Sequence, residues 1–236
     1  MKNIVCVIPA RSGSKGIADK NILNLGGHPL MAWSITTAKQ SKFINRIIVS
    51  TDSKKYQKIG LKYGAEVPFL RPANISKDDS TDLEFFKHIL EFLKKSSYSP
   101  DLLIHLRPTT PLRDSLVVDK AINNFDKERY TSLRSVHKLN TPIHKTFKIE
   151  ENQLVSFIEG EKSIDNFNEP RQKFIESYQA NGYVDIINPD FVIKNNLLHG
   201  DKCEAFITER TYDIDEENDF KDLEYMVRKE KLTLPE

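Results

Sequence analysis

Cysteine is scarce in this sequence. Only Cys6 and Cys203 occur in 236 residues, far apart and in strand-like segments. Two such residues form neither a disulfide framework nor a zinc pattern, which points to a cytoplasmic setting. Long apolar runs are also missing, so no membrane span is expected. Charge of one sign is missing too: 35 Lys and Arg offset 34 Asp and Glu, leaving a net charge of +1. Neither nucleic acid nor a membrane surface is therefore an expected partner. The six histidines show no metal-binding spacing such as His-Glu-x-x-His. The apolar stretch Ile4 to Ala10 is too brief for a signal peptide, and Arg11 to Lys20 contains no small-residue cleavage site. It reads as a first buried strand. No internal repeat or low-complexity linker divides the chain, so residues 1–236 are expected to form a single domain.

What is present is an alternation of strand and helix patterns. Ile4 to Pro9 is continuously apolar, as in a strand covered on both faces. A helix is expected over Pro29 to Gln40, a strand over Arg46 to Ser50, and a helix over Lys54 to Tyr63, stopped by Gly64. Glu66 to Leu70 is strand-like. Asp82 to Lys95 is amphipathic, with Leu83, Phe86, Leu90 and Leu93 at helical spacing. Asp101 to Leu106 and Ser115 to Phe125 read as another strand and helix. The order predicts an α/β fold with a mainly parallel sheet and flanking helices. From Thr131 to about Asn168 the rhythm breaks, and this stretch reads as an excursion from the sheet. Strands return at Gly182 to Ile187 and Ala205 to Thr208, and a last helix at Glu216 to Lys229.

Ligands of open α/β sheets bind beyond the carboxyl ends of the strands, so the loops there matter most. The loop after the first strand runs Pro9-Ala10-Arg11-Ser12-Gly13-Ser14-Lys15-Gly16, with Lys20-Asn21 following. Its glycines let backbone N–H groups approach an anion, and Arg11, Lys15 and Lys20 add positive charge suited to a triphosphate. A solvated basic turn is the bland alternative. The spacing is neither that of the P-loop nor that of the dinucleotide-binding Gly-x-Gly-x-x-Gly.

This loop, with Asn24-Leu25-Gly26-Gly27-x-Pro29-Leu30 after it, resembles the signature of the acylneuraminate cytidylyltransferases, the CMP-sialic acid synthetase family. The resemblance runs from Ile8 to Asp215. It implies a nucleotide-diphospho-sugar transferase-like fold and a homodimer whose arm, about residues 135–175, reaches over the partner's site. It implies transfer of CMP from CTP to a nine-carbon sugar acid of the sialic acid type, legionaminic acid among the options. Ala10, Arg11, Gly13, Ser14, Lys15 and Asn21 would hold the nucleotide, with Arg71 and Ser80 around the cytidine. Lys20 would act at the reacting phosphate, with Arg11 and Lys15 balancing its charge.

Leu106-Arg107-Pro108-Thr109-Thr110-Pro111-Leu112-Arg113 resembles the family's Leu-Gln-Pro-Thr-Ser-Pro-Leu-Arg, with Arg107 in place of a sugar-contacting Gln. Glu169-Pro170-Arg171-Gln172 and Asn181-Gly182 resemble further family segments, and Asp185 stands where Tyr is usual. By resemblance Arg107, Thr109, Arg171, Gln172, Asn181 and Asp185 are the expected sugar-side residues. Arg107 and Asp185 read either as a remodelled sugar pocket or as a structural ion pair. In Ser50-Thr51-Asp52-Ser53, capping of the next helix by Asp52 or Ser53 is the expected role.

Tyr212-Asp213-Ile214-Asp215 places two carboxylates at i and i+2, which share a face in an extended strand. Such hard oxygen ligands suit Mg²⁺ completed by substrate phosphates; helix capping by Asp215 is the alternative. The resemblance favours Asp213 and Asp215 as metal ligands. Other readings are a nucleotidyltransferase for another acceptor, a different keto-sugar acid or a sugar 1-phosphate, and a non-catalytic nucleotide-sugar binding protein. A GTPase- or kinase-like phosphate binder is disfavoured by the missing P-loop.

Overall fold

In the computed structural model, residues 2–158, 160 and 163–234 are described. The strands are β1 (Ile4–Pro9), β2 (Asn24–Leu25), β3 (His28–Pro29), β4 (Arg46–Ser50), β5 (Leu102–His105), β6 (Ser132–Lys138), β7 (Phe147–Glu150), β8 (Gln153–Ser156), β9 (Tyr178–Ile187) and β10 (Cys203–Ile207). The helices are α1 (Leu30–Gln40), α2 (Lys54–Lys62), α3 (Asp82–Lys95), α4 (Ser115–Asn124), α5 (Pro189–Asn195) and α6 (Glu217–Lys229). Six strands form the main sheet in the order β10-β6-β9-β5-β1-β4. β1 is parallel to β4 and β5, and β10 is parallel to β6. β9 runs antiparallel to both its neighbours, β5 and β6.

The apolar run of β1 is explained by its two covered faces. Ile4, Cys6 and Ile8 point into a core shared with Met31 and Ile35 of α1 and Val118 and Ile122 of α4. Val5 and Val7 point the other way, against Phe86, Ile89 and Leu93 of α3. This is the period-two alternation of a strand buried on both sides. Burial drives the Cys6 thiol upward in pKa, so it packs as a small apolar side chain. A third cluster seats α6, through Leu223 and Val227, against Leu25, Leu30, Trp33 and Ile214.

Three expectations need correction. Glu66 to Leu70 is not a strand; it makes only an isolated bridge, Ile48 to Glu66. The excursion does not begin at Thr131, nor the arm at 135, because β6 lies inside the sheet between β10 and β9. Its polar residues have internal partners: Ser135 Oγ accepts the Val184 N–H at 2.9 Å, and Ser132 Oγ donates to the His199 carbonyl at 3.0 Å. The excursion proper spans 139–177 and carries β7 and β8, which pair with each other. Finally, residues 211–215 are not a strand.

Candidate active site

The carboxyl end of β1 and the loop after β5 open, with the start of α3, onto one cleft of about 240 Å³. Its lining includes Arg11, Ser14, Lys20, Asn21, Arg71, Ser80, Arg107 and Thr109, together with Asp82 and Phe85. Eight residues expected from the sequence are thus gathered around one space.

The first bank is the loop after β1. Gly13 has φ +70°, a conformation that favours glycine. Gly16 is needed for a different reason: a Cβ there would lie 2.8 Å from the Asp215 carbonyl oxygen. Asp52 clasps the loop from β4, accepting the Ser12 N–H at 2.7 Å and its hydroxyl at 2.8 Å. Helix capping instead falls to Ser53, whose Oγ accepts the Tyr56 N–H. Asp78 bridges the two loop cations, 2.8 Å from Arg11 Nη2 and 2.8 Å from Lys15 Nζ. Lys15 above all, and then Arg11, hold the Asp78 carboxyl below its ordinary pKa. Ala10 is buried and donates its N–H to the Ser50 carbonyl, so that donor is already used.

The floor joins distant parts of the chain. Lys20 Nζ donates to the carbonyls of Ile214 at 2.9 Å and Asp215 at 3.2 Å, and lies 3.5 Å from Asp215 Oδ1. Ile214 is fully buried and its N–H donates to the Thr109 carbonyl at 2.9 Å. Asp213 and Asp215 flank it and are exposed, so both carboxylates face outward although the segment is irregular. Thr110 Oγ1 lies 3.5 Å from Asp213 Oδ1. Asn21 steadies the loop by donating its side-chain amide to the Arg11 carbonyl at 3.0 Å. Arg71 is buried, donates to the Ser50 carbonyl at 2.6 Å, and lies over Phe85; burial lowers its pKa to about 10, so it stays charged.

The second bank is built on arginines held by the protein. Arg107 donates from Nη1 to Asp185 Oδ2 at 2.7 Å and from Nη2 to Asp82 Oδ2 at 2.8 Å. Burial alone would lower its pKa, but Asp185 and Asp82 outweigh burial and raise it. Asp185 itself is fully buried behind Arg107, so it does not face the cleft as expected. Arg134 Nε lies 3.7 Å from the other Asp185 oxygen. Beneath them His105 is fully buried, 3.8 and 3.9 Å from Asp185 and Asp82. Burial first, and then the neighbouring positive charges, hold its pKa far below the ordinary value, so it is neutral. Arg113 donates to the carbonyls of Tyr183, Arg107 and Gly182 at 2.6, 2.8 and 3.0 Å, and to Ser34 Oγ at 3.0 Å.

Other expected residues are not brought to this cleft. Asn181 is nearly buried and its side chain is engaged with Thr208, the Glu209 carbonyl and the Tyr183 N–H. Arg171 and Gln172 lie in the arm, where Arg171 contacts the Asn140 carbonyl. Asp52, Asp78, Asp82 and His105 had no expected part in the site. Their signal is spatial: each is defined by a partner distant in sequence.

The cytidylyltransferase family profile matches residues 5–224. The chain is 32% identical over 238 residues to the post-translational flagellin modification protein B of Campylobacter coli, covering 98% of each. It is 31% identical to the CMP-N,N'-diacetyllegionaminic acid synthase of Campylobacter jejuni, covering 99% of this chain and 98% of that one. It is 34% identical to the N-acylneuraminate cytidylyltransferase of Escherichia coli, covering 92% of this chain but only 50% of that one. The structure of CMP:2-keto-3-deoxy-manno-octonic acid synthetase complexed with CTP superposes with a TM-score of 0.69 at 15% identity, over 97% of this chain and 100% of that one, a likeness of fold.

Proposed function

Since the chain belongs to the cytidylyltransferase family, we propose that it transfers CMP from CTP to the anomeric hydroxyl of a sialic-acid-type nonulosonic acid. The relatives named for N-acylneuraminate and diacetyllegionaminic acid support that acceptor class. The observation that carries the reading is Lys20, which lines the cleft and ties it to the Asp213–Asp215 segment.

In this reading the anomeric hydroxyl oxygen attacks the α-phosphorus of CTP, the bond from that phosphorus to the bridging oxygen of the β-phosphate breaks, pyrophosphate leaves, and the hydroxyl proton passes to water. Arg11 and Lys15 exchange Asp78 for phosphate oxygens. Lys20 stays beside the reacting phosphate, where charge builds up. Ser80 and Arg71 border the cytidine, and Arg107 and Thr109 border the sugar. Positioning of the two reactants supplies the remaining acceleration. Among the described residues no three His, Cys, Asp or Glu side chains form a ready metal cage. Two exposed hard carboxylates do fit a Mg²⁺ shared with substrate phosphates. Asp213 and Asp215 would hold that ion, which when bound neutralises phosphate charge and acidifies the attacking hydroxyl.

The homodimer is part of the proposal. In the arm, Ile149 is 73% exposed and Ile175 79% exposed, with Leu154 and Phe157 also largely open. Such an apolar surface suits a second copy, and Arg171 and Gln172 would then serve the partner's site. The proposed compartment is the cytoplasm, in keeping with two free cysteines. Among the described residues no helix is long and apolar enough to cross a membrane.

The test is pyrophosphate release with CTP and Mg²⁺ across a panel of nonulosonic acids, with other nucleotides as controls. Release with one nine-carbon acid and CTP alone is the expected result. Silence from folded protein across the panel would overturn the acceptor class and shift the search to other keto-sugar acids and sugar 1-phosphates.

A further inference from the structure

Arg107 is the residue of the cleft wall whose surroundings ask for an explanation. A free arginine there would be a natural receptor for the acceptor's carboxylate, since its planar fork matches that group. The fork is already occupied. Asp185 and Asp82 each take one terminal nitrogen, at 2.7 and 2.8 Å. Asp185 is fully buried and is also approached by Arg134 at 3.7 Å, so an incoming ligand has no water-filled space into which to displace it. Asp82 opens α3 just after its N-cap, Thr81, whose N–H donates to Glu84 Oε2 at 2.6 Å, and so its backbone is fixed. His105 beneath adds no charge.

The balance of charge follows. Asp82 and Asp185 face Arg107 and Arg134, two negative groups against two positive. Arg71 and Arg113 are held by carbonyls rather than carboxylates and keep their charge, but a carboxylate reaching Arg107 itself would come close to Asp82, which also lines the cleft. A guanidinium nevertheless carries more N–H groups than these two bonds use. Those that remain form a donor set of fixed direction on the cleft wall.

Resting on the proposed acceptor site, we infer that Arg107 is a specificity-determining residue that donates hydrogen bonds to a neutral oxygen of the acceptor, a hydroxyl or an acylamino carbonyl, and does not receive its carboxylate. Asp82 and Asp185 are positioning residues that aim Arg107 and cancel its charge.

The experiment is calorimetric binding of a nonulosonic acid and of its carboxamide, in the presence of a CTP analogue with a methylene bridge between the α- and β-phosphates. The double variant R107M/D185N removes the buried pair together and leaves no donor at position 107; Asp82 and Arg134 each lose a partner but both reach water. It should weaken acid and carboxamide by the same factor, about tenfold. Deoxy and deacylated acceptors that lack the contacted oxygen should lose nothing. Loss for the acid alone, with the carboxamide unaffected, overturns the inference while leaving the acceptor site in place. No change for any acceptor places Arg107 outside the sugar site and overturns the inference alone, since the wild-type protein still binds its acid. Failure of the wild-type protein to bind any acid overturns the proposed acceptor class and the inference with it. Should the double variant not fold, Asp82→Asn decides. A carboxylate receptor freed of Asp82 would bind the acid more tightly relative to the carboxamide, whereas a positioned neutral donor would weaken toward both alike.

Discussion

On one bank of the cleft, Lys15 is 81% exposed and shares with Arg11 a single partner, Asp78, that is itself open to water. On the other, Arg107 grips a fully buried carboxylate, and Arg113 is spent on three backbone carbonyls and a hydroxyl. Both banks are cationic, but only the first can change partners cheaply. Exposed ion pairs contribute little and are readily exchanged; removing one member of a buried pair leaves an uncompensated charge. The first bank is therefore suited to a ligand that arrives and departs as an anion. The second is suited to holding a shape.

The comparison makes its sharpest demand at the floor between the banks. Asp215→Ala should reduce kcat about 10²- to 10³-fold with an unchanged unfolding midpoint. Pyrophosphate release and thermal unfolding measured on one preparation check this, and a near-normal rate would remove Asp215 from the mechanism. Arg113→Met should do the reverse on stability. It strands several enclosed acceptors and should cost about 3 kcal/mol in urea unfolding. A fully stable variant with altered kinetics would break the division between the banks.

Acid should expose the buried side next. Burial keeps His105, His88 and His199 below their ordinary pKa values. The unfolded chain takes up protons at these positions below about pH 6.5, where the folded chain refuses them. Stability should therefore fall as pH drops through and below that value, and His105→Phe should flatten the decline in a pH series of denaturant midpoints. An unaltered slope would mean His105 is not held neutral. The smallest effect belongs to the exposed bank. Asp78→Asn should lower KM for CTP about threefold at low salt, with the advantage fading as salt rises. A higher KM would show that Asp78 helps the nucleotide rather than standing in for it.

Much of the scaffold was legible because its segments are strongly patterned. β1, β4, β5 and helices α1 to α4 and α6 lie within a residue or two of their expected bounds. β6 was missed because Ser132, Arg134, Ser135 and His137 look like loop, and their partners, His199, Asp185 and Val184, are remote in sequence. α5 carries a readable signal of its own: Asn188 caps it and Pro189 occupies its first turn. The basic loop announced itself through glycine and charge. Asp78 and Asp82 did not, because an acidic residue in a first helical turn or just ahead of it reads as complementing the helix dipole until its arginine is seen. From the sequence Asp185 reads either as facing the sugar or as pairing with Arg107; the pairing is what the structure contains.

Lys20 reaches the carbonyl of Ile214 across 194 positions of sequence, and Gly16 leaves room for the backbone of Asp215. A ribosome releases the loop long before it makes the segment that meets it. At about 5–20 residues per second the delay is on the order of tens of seconds. Throughout that time the nascent protein carries a cationic loop without the two aspartates opposite. A translation product cut short before residue 213 keeps the cationic loop and lacks the carbonyls that hold Lys20 in place.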